Sequence, residues 1–284
     1  MTEKFFSFLE CQKCRGELRR LEASANCVRC GALYLINNGA WIFNAHSAVE
    51  HPDGVGDPLI ASLKGFFKRY EKLYFLFVKI AGALFIGKTG RQAFAQLPPE
   101  AIVINLGSGP KKLGQNIINV DSFAFPGVQI VADAIKLPIK NASVDAIMCE
   151  CVLEHVPDPI DVVKEISRVL KPGGLVYISI PFMDAYHSAP DDYYRWTTSG
   201  LRQLMKDFDE MELKLAFGPT STMISGLSHW LGIFLSFGSK TIYQIIMLSV
   251  SVLFSPLKLL DYVLRNYPYA TNASVGFYYI GRNR

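Results

Sequence analysis

The stretch NLGSGPKKLGQNIINVDSF, residues 105–123, decides the fold of this chain. It has the pattern of a strand end, a glycine turn and a second strand that closes on an acidic residue. Only 11 residues lie between Gly109 and Asp121, so at most a single helical turn fits between the two strands. The stretch is either a turn that binds a nucleotide-like cofactor or a plain glycine turn, and the surrounding sequence decides between them.

Short apolar runs bounded by turn residues flank this stretch and predict buried parallel strands. The runs are AIVINL (101–106), NIINV (116–120), VQIVAD (128–133), VDAIMCE (144–150) and GLVYISI (174–180). Between the last two, Asp158 and Pro159 begin an amphipathic helix that a Pro-Gly-Gly triplet ends at 172–174. Further strands are predicted at 211–217 and 273–281. The sequence therefore predicts an α/β fold.

Acidic side chains stand at the ends of three successive predicted strands, at Asp121, Asp133 and Glu150. Open α/β sheets bind their ligands at this carboxyl edge. A carboxylate after the second strand is placed to accept hydrogen bonds from a ribose diol, and Asp133 is placed to accept one from an adenine amine. The glycine turn is therefore predicted to belong to a cofactor site.

The segment from Ile102 to Phe182, with LEHV at 153–156 and LKPGG at 170–174, resembles the class I S-adenosylmethionine-dependent methyltransferases of the type 11 kind. The resemblance implies a Rossmann-like seven-stranded sheet that binds S-adenosylmethionine. The cofactor contacts that it implies are Asn105, Gly107, Ser108, Gly109, Asp121, Asp133, Ala134, Cys149 and Glu150. A hydride-transfer dehydrogenase is disfavoured, because its cofactor pyrophosphate needs a helix N-terminus directly after the turn.

Four of the six cysteines form two CxxC pairs separated by 12 residues. They are Cys11, Cys14, Cys27 and Cys30. Four thiolates in two pairs can close a tetrahedral zinc shell, and the metal supplies folding energy that so small a module lacks. Because cysteine fills all four positions and leaves none for water, the zinc is predicted to be structural. An iron centre and redox-active pairs are the alternatives.

The stretch from Leu9 to Phe43 resembles the small zinc-ribbon family that includes the activator partner of tRNA, rRNA and protein methyltransferases. The resemblance rests on Gly16 and Leu18 after the first pair, on Gly31 after the second, and on the INNGAW ending at 36–41. It implies a module that supports or docks onto a methyltransferase core. The alternative is an inert folding appendage.

Candidate catalytic residues follow the fifth predicted strand, in PFMDAYHSAPDDYYRWTTSGL, residues 181–201. His187 with Asp191 or Asp192 is a candidate oriented base, and Arg195 is a candidate partner for an acceptor phosphate or carboxylate. Tyr194 and Trp196 are placed to stack on an acceptor ring. The alternative is that the loop only begins the next helix. The loop resembles methyltransferases of polysaccharide or cell-envelope biosynthesis, and His155 is expected to be architectural.

The hydrophobic excess of the chain lies in an insert before the last strand, residues 219–268. No charged residue occurs for 25 positions between Lys214 and Lys240 or for 17 between Lys240 and Lys258. The insert is predicted to form a helical hairpin on a membrane surface or over the site, with a spanning segment or a dimer face as alternatives. We predict a zinc ribbon at 1–45, a linker with basic aromatic helices at 46–92 and a methyltransferase domain at 93–284.

These features together predict an O-methyltransferase that acts on a lipid-linked sugar or another hydrophobic cell-envelope acceptor. A net charge of +4 and the absence of a dense basic stripe make nucleic acid an unlikely partner. The N-terminus lacks the pattern of a signal peptide, so the expected location is cytoplasmic, peripheral to the inner face of the membrane. An RNA or protein methyltransferase and a non-catalytic scaffold that acts through the ribbon are the alternatives.

Overall fold

The computed structural model describes residues 3–43, 80–110, 113–114, 117–187 and 191–284, so residues 46–79 of the predicted linker and basic segment lie outside it. The strands are β1 (Leu18–Arg20), β2 (Ser24–Cys27), β3 (Leu33–Asn37), β4 (Ala40–Ile42), β5 (Val103–Leu106), β6 (Ile117–Asp121), β7 (Ile130–Val131), β8 (Val144–Glu150), β9 (Leu170–Pro181), β10 (Phe208–Phe217) and β11 (Gly276–Asn283). The helices are α1 (Glu3–Ser7), α2 (Gly90–Ala93), α3 (Pro159–Val169), α4 (Thr198–Leu204), α5 (Pro219–Leu235), α6 (Lys240–Leu253) and α7 (Asp261–Leu264), with short 3-10 helices at Leu153–His155, Ser255–Leu260 and Pro268–Ala273.

Seven strands form the predicted Rossmann-like sheet, in the order β7-β6-β5-β8-β9-β11-β10. The first five are parallel, and β11 lies antiparallel between β9 and β10. The predicted strands are confirmed, but β9 begins at Leu170, where helix α3 ends, rather than after the Pro-Gly-Gly triplet. The triplet is accommodated by a register shift between β8 and β9, because Pro172 cannot donate to a regular ladder.

The core lies between this sheet and the helices that cover it. Strand residues Ile104, Ile147 and Ile178 are fully buried. The apolar face of α3 packs on them through Val162 and Ile166, which are also fully buried. Because the strands are covered, their sequences are continuously apolar, and the polar groups that remain are concentrated at the carboxyl edge.

The ribbon extends the same sheet, which gives 11 strands where the sequence predicted seven and a separate small module. Strand β4 runs parallel to β7, with Trp41 opposite Ile130. A second backbone contact joins Leu9 to Ile139 as an isolated bridge. Sequence patterning could not reveal this, because a three-residue strand such as β4 carries no periodicity of its own.

The predicted helical insert before the last strand is confirmed as α5, α6 and the short helices that follow. Helices α5 and α6 pack closely at Gly232, where an added Cβ would lie 2.9 Å from the Tyr243 ring. The start of α5 is held by Asp261, which accepts hydrogen bonds from the backbone of Thr220 and Ser221. Within the described residues, no single helix has the length and hydropathy for a membrane span, although the bent pair Lys240–Leu253 and Ser255–Leu264 passes that test together.

Candidate active site

The glycine turn is built against strand β6. Gly107 and Gly109 adopt φ values of +69° and +55°, which glycine reaches without strain. The backbone N–H groups of Gly107 and Ser108 both donate to the Val120 carbonyl, at 2.8 and 3.2 Å. No described heavy atom lies within 4 Å of where a Cβ of Gly109 would be, so the backbone there is open to approach by a ligand.

Asp121 and Asp133 lie where the sequence placed them, Asp121 as the last residue of β6 and Asp133 two residues past the end of β7. The Asp121 carboxylate is buried and accepts from the N–H of Gly109 at 2.8 Å and of Phe123 at 3.0 Å. It therefore fixes the glycine turn. Asp133 accepts from the N–H of Ile135, and both Asp133 and Ala134 remain partly exposed.

The other predicted cofactor residues differ in accessibility. Asn105 is buried, and its amide donates to Asn119 of β6 at 3.1 Å, which ties β5 to β6 below the turn. The Cys149 side chain is fully buried, and this burial raises the pKa of its thiol. Only its backbone is available for a contact, whereas Glu150 at the strand end is partly exposed. The cofactor roles of these residues remain predictions.

The loop after β9 is held together by Arg195. Its guanidinium pairs with both oxygens of Asp192 and also donates to the backbone carbonyls of Asp184, Ala185 and Tyr194. Arginine carries five N–H donors, so all five are engaged. The predicted pairing of Arg195 with an acceptor would require it to leave these partners.

His187 meets Asp192 rather than Asp191. The backbone N–H of His187 donates to Asp192 Oδ2 at 2.8 Å, and its Nδ1 lies 3.8 Å from the same oxygen. The hydrogen bonds from Arg195 lower the pKa of Asp192 to about 2, so this carboxylate stays charged beside the imidazole. The Asp191 side chain instead accepts from the Tyr193 hydroxyl.

Sequence reasoning missed Glu154, which lies in the 3-10 helix after β8. The residue is completely buried, and neither carboxylate oxygen has a hydrogen-bond partner among the described residues. Burial raises the pKa of Glu154 to about 7. The rings of His155 and His187 meet edge to face at 5.3 Å, so His155 belongs to this site as well. Glu154 lies four residues past the end of β8, and the sequence carries no signal that this acid would be buried.

The predicted aromatic pair lines a cavity beside helices α3 and α4. The rings of Tyr194 and Trp196 lie 5.5 Å apart, and Trp196 is 8% exposed. Together with Pro157 and Ile160 they line a space of about 650 Å³. The Tyr194 hydroxyl donates to the Pro157 carbonyl, so the ring is fixed in place.

The four ribbon cysteines converge as predicted. Their sulfur atoms lie within 4.8 Å of one another, with Cys11 and Cys30 at 3.6 Å and Cys14 and Cys27 at 3.5 Å. The edge of a zinc tetrahedron with bonds of about 2.3 Å is about 3.8 Å, so the four thiolates fit a zinc ion. A hydrogen bond of 3.1 Å joins Cys11 to the Tyr34 hydroxyl, a partner that orients the sulfur.

Comparison with known proteins shows that the central segment of the chain is similar to methyltransferases. A family model described as a methyltransferase domain matches residues 104–178. An uncharacterized methyltransferase of Mycobacterium bovis is 44% identical over 54 residues, which are 19% of this chain and 21% of that protein. A ubiquinone biosynthesis O-methyltransferase of Xanthomonas oryzae is 45% identical over 40 residues, 14% of this chain and 17% of that protein. The chain thus matches about a fifth of the length of these curated relatives.

Solved structures of methyltransferases resemble this chain as well. The complex between the Haloferax volcanii Trm112 methyltransferase activator and a methyltransferase matches with a TM-score of 0.40 and 17% identity, over 69% of this chain and 88% of that chain. Phosphoethanolamine N-methyltransferase 2 of Haemonchus contortus, in complex with phosphomonomethylethanolamine and S-adenosylhomocysteine, matches with a TM-score of 0.42 and 17% identity. The match covers 74% of this chain and 56% of that chain. The family match identifies residues 104–178, which run from β5 into β9 of the Rossmann-like sheet, as similar to a methyltransferase domain.

Proposed function

We propose that this chain is an S-adenosylmethionine-dependent O-methyltransferase whose acceptor is a hydrophobic, membrane-proximal molecule such as a lipid-linked sugar of the cell envelope. The observation that carries the cofactor assignment is the open glycine turn fixed by Asp121. Gly107 and Gly109 would hold the methionine end, Asp121 the ribose, and Asp133 with Ala134 the adenine. When bound, the cofactor supplies an electrophilic methyl group on a sulfonium.

Methyl transfer to an oxygen asks the protein to align the acceptor and to handle its proton. The groups proposed to accept the proton of the acceptor lie in the loop around His187, next to the charged Asp192. The name of one relative, an O-methyltransferase of ubiquinone biosynthesis, supports an oxygen acceptor over its 40 matched residues. Arg195 contributes by holding the loop that carries His187.

The insert supports a hydrophobic acceptor. A space of about 240 Å³ is lined both by Asp184 of the His187 loop and by His229 and Met247 of the insert helices. The insert helices therefore line a cavity that adjoins the His187 loop. A path for an apolar acceptor along α5 and α6 would end close to the groups proposed to act on it.

The tip of the α5–α6 hairpin supports contact with a membrane. Trp230, Ile233, Phe234 and Phe237, hereafter the hairpin tip, are each more than 60% exposed. Phe237 is 93% exposed at a φ of +48°, a strained conformation for a bulky side chain. Strain at an exposed apolar residue is typical of a functional position rather than of a stabilising one.

Calorimetry with S-adenosylmethionine and S-adenosylhomocysteine tests the cofactor assignment. The wild-type protein should bind both, and Asp133→Ala should weaken binding by about tenfold or more, since a hydrogen bond to a charged group contributes about 1.5–3 kcal/mol. Asp133 is the preferred variant because its side chain supports only its own turn, whereas Asp121 also fixes the glycine turn. Asp209→Asn, an exposed acid on β10, is the matched control.

The acceptor class is tested by transfer of a labelled methyl group from the cofactor. We expect label in the lipid-linked sugar fraction of a membrane extract and none in RNA or protein. Label in RNA or protein would overturn the acceptor proposal but keep the enzyme class. Absence of binding to either cofactor form would overturn both.

A further inference from the structure

Glu154 is a buried acid that the proposed cofactor site leaves unexplained. Both of its carboxylate oxygens lack a hydrogen-bond partner among the described residues. A buried carboxylate without partners is costly, and a catalytic role or a bound ion is among the explanations for such a group in native proteins. Among the described residues, His155 is its neighbour within 4 Å, with Nε2 at 3.9 Å from Oε1, too far for a hydrogen bond.

The two histidines next to Glu154 are oriented alike. His155 Nδ1 lies 2.6 Å from the Asp191 carbonyl oxygen, and His187 Nδ1 lies 3.1 Å from the Ala185 carbonyl oxygen. A carbonyl can only accept, so each Nδ1 carries the proton and each Nε2 keeps its lone pair. Histidines that bind metals are held in the same way, by a hydrogen bond from the other ring nitrogen to a carbonyl or carboxylate.

The three side chains also converge. One oxygen of Glu154 and one ring nitrogen of each histidine lie within 4.8 Å of one another. Ligands that share an ion at about 2.0–2.2 Å are separated by about 3–4 Å, so a small closure of the three would complete the shell. This convergence does not depend on the ribbon, whose cysteines form a second, separate cluster.

We propose that Glu154, His155 and His187 bind a divalent transition-metal ion beside the cofactor turn. Two imidazoles and one carboxylate form a ligand set that holds catalytic zinc and non-haem iron and leaves coordination positions open. The site adjoins the glycine turn, because the 3-10 helix follows Val152, whose side chain would clash at 2.1 Å with a Cβ on Gly107.

The role of the ion rests on the proposed function. An acceptor hydroxyl that binds at an open position loses its proton to solvent more readily, because the ion stabilises the alkoxide. The oxygen then forms a bond to the methyl carbon while the bond from carbon to sulfur breaks and its electron pair stays on sulfur. In this arrangement His187 positions the ion, and the ion replaces the base role that the proposed function gives to the His187 loop.

Metal content of the full-length protein tests the site. The protein is dialysed against an equimolar mixture of Zn²⁺, Mn²⁺, Co²⁺ and Ni²⁺, freed of loosely held ions, and analysed for metal per chain. We expect two ions in the wild type, one in the ribbon and one at the new site. Glu154→Gln and His187→Ala should each retain one ion, while His229→Ala, a histidine of the insert, should retain two.

Calorimetry with the metal that the wild type selects adds an affinity. Loss of one ligand should weaken binding at least tenfold, since loss of an outer-shell partner alone costs 10–100-fold. One ion per chain in the wild type, or two ions in both ligand variants, would overturn the proposal. Metal content is measured without cofactor or acceptor, so failure of this site leaves cofactor binding intact, and failure of methyl transfer leaves the metal content unchanged.

Discussion

The ribbon and the hairpin insert are two additions to opposite ends of one sheet, and they differ in what covers their apolar side chains. The ribbon adjoins β7 and buries Leu9 and Trp41 in the same core as the methyltransferase strands. The insert, between β10 and β11, leaves Trp230 and Phe237 exposed. The difference teaches that the ribbon finds its partner within this chain, whereas the described residues offer no cover for the hairpin tip.

Charge strengthens the contact of the ribbon with the domain. Arg15 of the ribbon pairs with Glu165 of α3, and Arg168 of α3 reaches back to Glu10 of the ribbon. Within the ribbon Arg15 also pairs with Glu10 at 2.6 Å, and within α3 Arg168 pairs with Glu165 at 2.7 Å. The four charges form a closed network in which both carboxylates are buried and both arginines reach solvent, so the ribbon is joined to the domain by more than a single strand pair.

Removal of one ribbon ligand should have the largest effect on stability. Cys11→Ser opens the metal shell, and structural zinc contributes on the order of 10 kcal/mol to the folding of a small module. Because Leu9 and Trp41 belong to the shared core, the loss should extend into the methyltransferase sheet. We expect several kcal/mol of lost unfolding free energy in urea, together with loss of one bound metal ion.

Cys151→Ser is the matched control for this variant, because Cys151 is exposed and outside the ribbon. It should keep both the metal and the stability. An unfolding free energy of Cys11→Ser equal to that of the wild type would show that the ribbon is an independent appendage. That result would remove the contrast between the two additions.

Loss of a network charge should have an intermediate effect. Glu165→Gln removes the acid that Arg15 and Arg168 share, and because both arginines keep Glu10 and reach solvent we expect a loss of about 1.5–3 kcal/mol, that of a hydrogen bond to a charged group. Urea unfolding at neutral pH measures the change. Glu210→Gln breaks the exposed pair with Arg202 and should cost about 0–1 kcal/mol. Equal effects of the two variants would mean that the network does not hold the ribbon.

The same acid gives a pH dependence. Burial alone would raise the pKa of Glu165, but the hydrogen bonds and charge of Arg168 outweigh it and hold the pKa below its usual range. The stabilisation is therefore present above the unfolded pKa of about 4.3 and is lost as the pH falls through the folded value. Glu165→Gln should flatten this part of the acid unfolding curve relative to the wild type.

The methyltransferase part of the fold could be predicted from sequence because its signals are local. Each buried strand is a continuous apolar run, and the turn after β5 carries the glycines that its positive φ values require. The four ribbon cysteines were equally predictable from their spacing. Glu154 was not, since a charged residue next to a histidine gives no sign in sequence that it will be buried.

Contacts between distant segments explain the other omissions. The pairing of β4 with β7 joins residues far apart in sequence, and neither strand is long enough to show a period. The choice of Asp192 over Asp191 as the neighbour of His187 depends on Arg195, which turns one carboxylate inward and leaves the other for Tyr193. The sequence alone does not distinguish Asp191 from Asp192, because the difference depends on where Arg195 lies in the folded loop.

The smallest effect on stability is expected for a substitution at the hairpin tip. Such a substitution should keep or raise the stability of the protein while it weakens membrane binding. Phe237 adopts a left-handed conformation that asparagine tolerates better than phenylalanine. Phe237→Asn should therefore leave the unfolding free energy unchanged or raise it by up to about 1 kcal/mol. If the tip enters a membrane, the variant should bind anionic vesicles about tenfold more weakly, since burying a phenylalanine contributes about 1.5–3 kcal/mol.

Leu35→Asn on the ribbon strand β3 is the control, because Leu35 is 57% exposed and equally apolar. Vesicle sedimentation should not distinguish it from the wild type. A stabilised Phe237→Asn protein that loses vesicle binding would show that the strained phenylalanine is kept for its external partner. Equal vesicle binding by Phe237→Asn and wild type would mean that the tip is covered by something other than lipid, and the contrast with the ribbon would then rest on a protein partner.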